Sequence, residues 1–168
     1  MTEFFLGFPD VPFDAVSITS SETAETGFEA ENTILGSRAD YFRLADSTTN
    51  TLSLTYSLTS NAQAEFLWLG RASMLQGAKV DSITLNAGST IYQNTAFLSE
   101  TLTGRKTDDF LATFARCAPA KPFVLSLSAT SASYYPFSKA YFGLWFDMGR
   151  DPRRGYSVSA STDSEVAR

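Results

Sequence analysis

The chain contains no histidine among its 168 residues, so the side chain that most often moves protons near neutral pH is missing altogether. A Ser-His-Asp triad, a Cys-His pair and any histidine-containing zinc site are thereby excluded. The single cysteine, Cys117, has no internal disulfide partner. As a nucleophile it would need another base, and its spacing from Phe110, Leu111 and Phe114 points instead to a buried thiol on a helical apolar face. Two carboxylate pairs remain for glycosidase-type chemistry, Glu29 with Glu31 and Asp108 with Asp109. The first pair sits at i and i+2 in a turn-like stretch, and the second reads as dipole decoration at a helix start. Neither spacing shows the convergence across a cleft that such chemistry needs, so no catalytic residue is expected. Glu29, Glu31, Asp40 and Asp46 cluster in one region and carry the oxygen ligands that calcium takes, yet their spacing matches no EF-hand loop. No cofactor is expected, a structural calcium there being the one alternative. Phosphate-binding glycine loops are absent from the sequence.

What is left is contact chemistry. Tyr134, Tyr135 and Phe137 lie close together on a segment expected to link two strands, and an exposed aromatic ring can pack on the apolar face of a sugar or a protein neighbour. Arg150, Arg153 and Arg154 surround Asp151 and Pro152 in an expected turn, where guanidinium forks suit a carboxylate-rich partner. Near the start, Phe4, Phe5, Phe8 and Phe13 form an apolar arm that either caps this domain's own core or docks on a neighbouring subunit.

These groups must be held by strands, because Ser and Thr together fill 40 positions while Lys, Glu and Asp are sparse. Leu52, Leu54, Tyr56 and Leu58 alternate with Ser53, Thr55, Ser57 and Thr59, the pattern of a strand with one buried face. A short strand is expected over 16–19. The run 64–70 is apolar on both faces, as in the middle of a packed sheet, with Trp68 expected in the core. Val80 to Leu85 and Thr90 to Gln93 read as a hairpin through Asn86, Ala87 and Gly88. Alternation through Phe123, Leu125, Leu127 and Ala129, and again from Ala140 to Met148, gives two more strands. One helix is expected over 107–117, capped by Thr107 and ended by Pro119. Pro9 and Pro12 forbid a long helix near the start and suit an extended arm or an edge strand. The expected fold class is therefore all-β, an antiparallel β-sandwich of jelly-roll type with one short peripheral helix. Its domain spans 15–158, between an extended arm over 1–14 and a polar tail over 159–168.

A formal charge of −5 and a pI near 4.7 give no general attraction for nucleic acid or an anionic membrane. No apolar run reaches the length of about 18 residues that a membrane span requires, and the opening lacks the basic region of a signal peptide. A soluble protein is expected.

From Ser20 to Tyr156 the order of features resembles galactose-binding-like, or discoidin-type, β-sandwich modules, in particular variants similar to structural proteins of tailed bacteriophages. The resemblance rests on a serine-rich lead into an A-x-N-x-x-x-G segment at Ala30, Asn32 and Gly36, on the strand Leu52 to Leu58, and on core runs 66–75 and 80–85. It continues through the closing 142–157, which is similar to a final strand with an arginine-bearing exit loop. In metal-binding members an acidic residue often precedes the glycine of that segment, whereas Leu35 precedes Gly36 here. The resemblance implies recognition through loops at one end of the sandwich, or assembly through its faces and edges. The leading expectation is a non-enzymatic virion component of a tail, baseplate or capsid, partnered by other virion proteins and copies of itself. The alternative is a carbohydrate-binding module that meets glycans through the Tyr134-Tyr135 loop.

Overall fold

Antiparallel strands dominate the computed structural model, which describes residues 5–8, 10–35, 37, 39–95 and 109–147. Those residues hold strands β1 (Phe5–Phe8), β2 (Ala15–Ser20), β3 (Thr51–Leu58), β4 (Phe66–Gly70), β5 (Val80–Ala87), β6 (Ser89–Asn94), β7 (Phe110–Thr113), β8 (Phe123–Ala129) and β9 (Lys139–Asp147). Between them lie short helices α1 (Asp10–Phe13) and α2 (Ser73–Gly77) and a 3-10 turn, Ala30–Thr33. One sheet has the order β1-β9-β4-β7 and the other β2-β3-β8-β5-β6. No helix among the described residues is long and apolar enough to cross a membrane.

The two sheets face each other because strands such as β3, β5 and β8 turn their apolar residues to one side. Leu52, Leu54 and Tyr56 of β3, Phe123, Leu125 and Leu127 of β8, and Ile83 and Leu85 of β5 are buried on the inner face of the five-stranded sheet. On the opposite layer Leu67 and Leu69 of β4 and Ala140 and Phe142 of β9 answer them. Phe142 sits where the layers meet, with its ring edge-on to Tyr56 at 4.9 Å and tilted against Phe123 at 5.6 Å. Burying side chains of this size stabilises by about 1.5–3 kcal/mol each, which is why alternation governs the fold. In β5 the spacing from Val80 to Ile83 breaks strict alternation, and a register shift between Val80 and Ser82 restores both residues to the core.

The β5-β6 hairpin turns at Gly88, whose φ of +73° lies in the left-handed region that a side chain makes costly. No atom would obstruct a Cβ there, so the backbone alone sets the cost. Gly88→Val should lower stability by about 1–2 kcal/mol while Gly88→Asn stays within about 0.5 kcal/mol, as read from urea midpoints.

Two sequence expectations are corrected. The helix expected over 107–117 is not found over its described residues, 109–117: Phe110–Thr113 is strand β7, paired with β4 through Phe66↔Thr113, Leu67↔Ala112, Trp68↔Leu111 and Leu69↔Phe110. A short apolar run satisfies both periods, and pairing with β4 satisfies an edge of that strand that a helix would leave unpaired. Cys117 is buried all the same, in an extended segment where its Sγ accepts the Ala64 N–H at 3.2 Å. Trp68, expected in the core, lies half-buried on the outer face of the four-stranded sheet, stacked on Tyr141 at 5.2 Å. Its neighbours Leu67 and Leu69 take the inner side, because a strand apolar on both faces must turn one of them outward.

At the start of the chain, Phe5 and Phe8 lie in β1, the edge strand paired with β9. Phe4, the arginine turn with Arg150, Arg153 and Arg154, and the tail over 159–168 lie outside the described residues.

Candidate functional site

Three loop segments lace together through backbone hydrogen bonds. The first, 23–28, lies next to the second, 41–45, through Glu25 N–H to Arg43 O at 2.9 Å, Arg43 N–H to Phe28 O at 3.1 Å and Ala45 N–H to Thr23 O at 3.0 Å. The third, 133–137, joins the second through Phe42 N–H to Phe137 O and Leu44 N–H to Tyr134 O, each 2.9 Å. These bonds satisfy loop backbone that a packed surface would otherwise strand without water.

Alternation along the third segment sorts the expected contact residues. Ser133, Tyr135 and Phe137 are buried, and only Tyr134, 41% exposed, presents its ring to solvent. Tyr135 and Phe137, expected as ligand or partner contacts, are thus core residues: Phe137 packs on Phe42 at 5.8 Å, and burial pushes the Tyr135 phenol above its ordinary pKa. Tyr135 holds a φ of 49°, an uncommon state for a bulky residue, at the step where the chain swings its neighbour outward.

Over the Tyr134 ring stands the Arg43 guanidinium, 4.9 Å from the centroid. Arg43 Nε approaches Glu25 Oε2 at 2.7 Å, with the two side chains 37% and 36% exposed. The contact is an ion pair without hydrogen-bond alignment. Coulomb attraction therefore holds the pair, and its remaining N–H groups and carboxylate oxygen keep bonding capacity for a ligand. Phe28 and Tyr41, with ring centroids 4.6 Å apart, continue the same loop layer.

The acids considered for calcium do not converge. Glu29 Oε1 accepts the Gly27 N–H at 2.8 Å, a bond that pulls its carboxyl below the ordinary range. Asp40 Oδ2 accepts the Ser37 N–H at 2.6 Å, and Asp46 Oδ1 accepts the Thr48 hydroxyl at 2.7 Å. No group of three metal-ligating side chains exists among the described residues. Of the other carboxylate pair, Asp109 accepts the Arg71 N–H at 3.1 Å, and Asp108 lies outside the described residues.

Neither a protein-family model nor a curated protein matches the sequence. Solved structures do. Chitosan-binding module 2 of a Paenibacillus sp. IK-5 chitosanase/glucanase, in complex with chitotriose, is 14% identical and has a TM-score of 0.60 over 80% of this chain and 99% of the module. The CBM32 of AlyQ, in complex with 4,5-unsaturated mannuronic acid, is 15% identical, with a TM-score of 0.56 over 77% of this chain and 95% of its own. A Streptococcus pneumoniae fucose binding module is 8% identical, with a TM-score of 0.57 over 79% and 94%. The fold is the galactose-binding-like β-sandwich. On this galactose-binding-like frame, the Tyr134 segment, Arg43 and Glu25 gather at one loop surface. Sequence reasoning found Tyr134 and missed the other two, because Arg43 lies 18 positions beyond Glu25 and no local pattern couples them.

An ion pair this exposed contributes about 0–1 kcal/mol to stability. Arg43→Ala should therefore leave the urea midpoint nearly unchanged while weakening any ligand held beside Tyr134 by about 5- to 10-fold, a split that titration calorimetry can read.

Proposed function

We propose that this chain is a carbohydrate-binding module that takes a saccharide on the loop layer around Tyr134 and performs no catalytic step of its own. The observation that carries this reading is the solvent-facing Tyr134 ring bordered by the Arg43-Glu25 pair. A pyranose presents apolar C–H groups on its faces and hydroxyls at its rim. The ring packs against the former, the guanidinium donates to the latter, and the carboxylate accepts from them. Structural neighbours that hold chitotriose and a mannuronic acid support the same reading. The absence of histidine from the sequence, and the separate local duties of Glu29, Asp40 and Asp46, support a binding role without chemistry.

The virion role expected from the sequence finds no support in these neighbours or in the loop layer. A glycan array carrying neutral, amino and uronic sugars tests the proposal. Dose-dependent retention on a family of related glycans is expected, with a Kd of about 0.1 mM for one stacked ring on a shallow surface. Uniform silence across the array at millimolar protein would remove the proposal.

A further inference from the structure

Lys139 opens β9 and is 2% exposed, a burial that lysine tolerates only when its charge is answered. Among the described residues no carboxylate forms an ion pair with it. The Nζ donates instead to two backbone carbonyls of one turn, Asn32 O at 2.5 Å and Leu35 O. Burial pulls the ammonium below its ordinary pKa, and the charge of Asp40 pushes back. Residue 70, its partner across the β4-β9 ladder, is a glycine; a Cβ there would lie 3.0 Å from the Trp68 ring and 3.3 Å from the Lys139 Cβ.

Both carbonyls belong to the Asn32-to-Gly36 segment that, in metal-binding relatives of this fold, the sequence resemblance associates with calcium. Calcium does not fit here. It takes six to eight oxygens, and no group of three metal-ligating side chains exists among the described residues, while an ammonium already draws on the segment's carbonyls. We propose that the Lys139 ammonium is the resident cation of this turn, tethered through β9, and that it does the organising work a bound metal ion would otherwise do.

The consequence reaches the loop layer. The Asn32 side chain donates to Gly27 O at 2.9 Å and to Tyr41 O at 3.2 Å, so a turn fixed by Lys139 also fixes the first two loop segments to each other. From the other side Thr33 anchors the turn, its hydroxyl donating to Ala30 O at 2.7 Å and lying 3.2 Å from the Tyr56 hydroxyl. Lys139 is thus a positioning residue. Its role stands independently of whether the Tyr134 surface binds a glycan.

Thermal unfolding of three proteins tests the proposal: wild type, Lys139→Met, which keeps the stem without charge, and Lys139→Ala, which leaves a hole ending at the two carbonyls. Each is measured in calcium chloride, in EGTA, and in n-propylammonium chloride, which supplies the missing part of the side chain. The wild-type midpoint should ignore all three additions, and Lys139→Met should fall by about 5–10 °C. Lys139→Ala should fall similarly and recover at least half the loss in propylammonium but not in calcium, whereas Lys139→Met should recover in neither. If Lys139→Ala does not fold unaided, its refolding yield with and without propylammonium gives the same reading. A wild-type midpoint that drops in EGTA, a Lys139→Met as stable as wild type, or a Lys139→Ala indifferent to propylammonium would each overturn the proposal.

Discussion

Phe142→Ala is expected to lower the unfolding free energy by about 3–5 kcal/mol, the largest effect of any single truncation considered for this chain. Phe142 is fully buried and bridges the layers, touching Tyr56 of one strand and Phe123 of another across the sandwich. Removing the ring deletes its transfer free energy and leaves a cavity between two sheets whose ladders resist collapse. Edge-to-face contact with Tyr56 adds a term that an aliphatic replacement would not restore. Since native domains hold only about 5–15 kcal/mol, the loss is a large share of the whole. Urea unfolding followed by circular dichroism measures it. Val16→Ala, at a position 66% exposed on β2, should by contrast stay within about 0.5 kcal/mol. Equal effects at the two positions would mean that the inner layer is not the packed interface described.

Tyr134→Ala is the second large effect, and it falls on binding. Its ring contributes exposed aromatic area and little core, so truncation should leave the urea midpoint within about 1 kcal/mol. Affinity for the best glycan should drop about 30-fold, near 2 kcal/mol, as for an aromatic anchor at the centre of a small contact. Tyr134→Phe keeps the stacking ring and should lose less than about 3-fold. Tyr135→Ala makes an uninformative partner for this experiment, because that side chain is buried and its removal unfolds before it unbinds. Parallel losses of stability and affinity at Tyr134 would show that the residue supports the loops and does not touch the ligand.

How much of this was legible in the sequence depends on which signal each element carried. Strands β3 and β8 were readable because serine and threonine alternate with large apolar residues, leaving one face to bury. The β5-β6 hairpin was readable from Gly88, whose backbone few other residues accept. Strand β7 was misread because Phe110, Leu111, Phe114 and Cys117 fit a helical spacing, and only the neighbouring edge of β4 decides between the two periods. Trp68 was misplaced for a related reason: a run apolar on both sides does not say which side is inward. At the candidate site the Tyr134-Tyr135 pair was visible, and strict alternation from Ser133 to Phe137 would have assigned one ring to water and the other to the core. Arg43 and Glu25 carried no such signal, and neither did Lys139, whose burial depends on carbonyls more than 100 residues away in the chain.

Backbone amide shifts of labelled protein, followed during titration with the strongest glycan from the array, test the central claim most directly. Perturbations are expected to concentrate on 23–28, 41–45 and 133–137, with the Tyr134 amide among the largest and the core of β3 and β8 silent. Perturbations gathered elsewhere on the sandwich, or none at saturating glycan, would contradict a saccharide surface built on Tyr134.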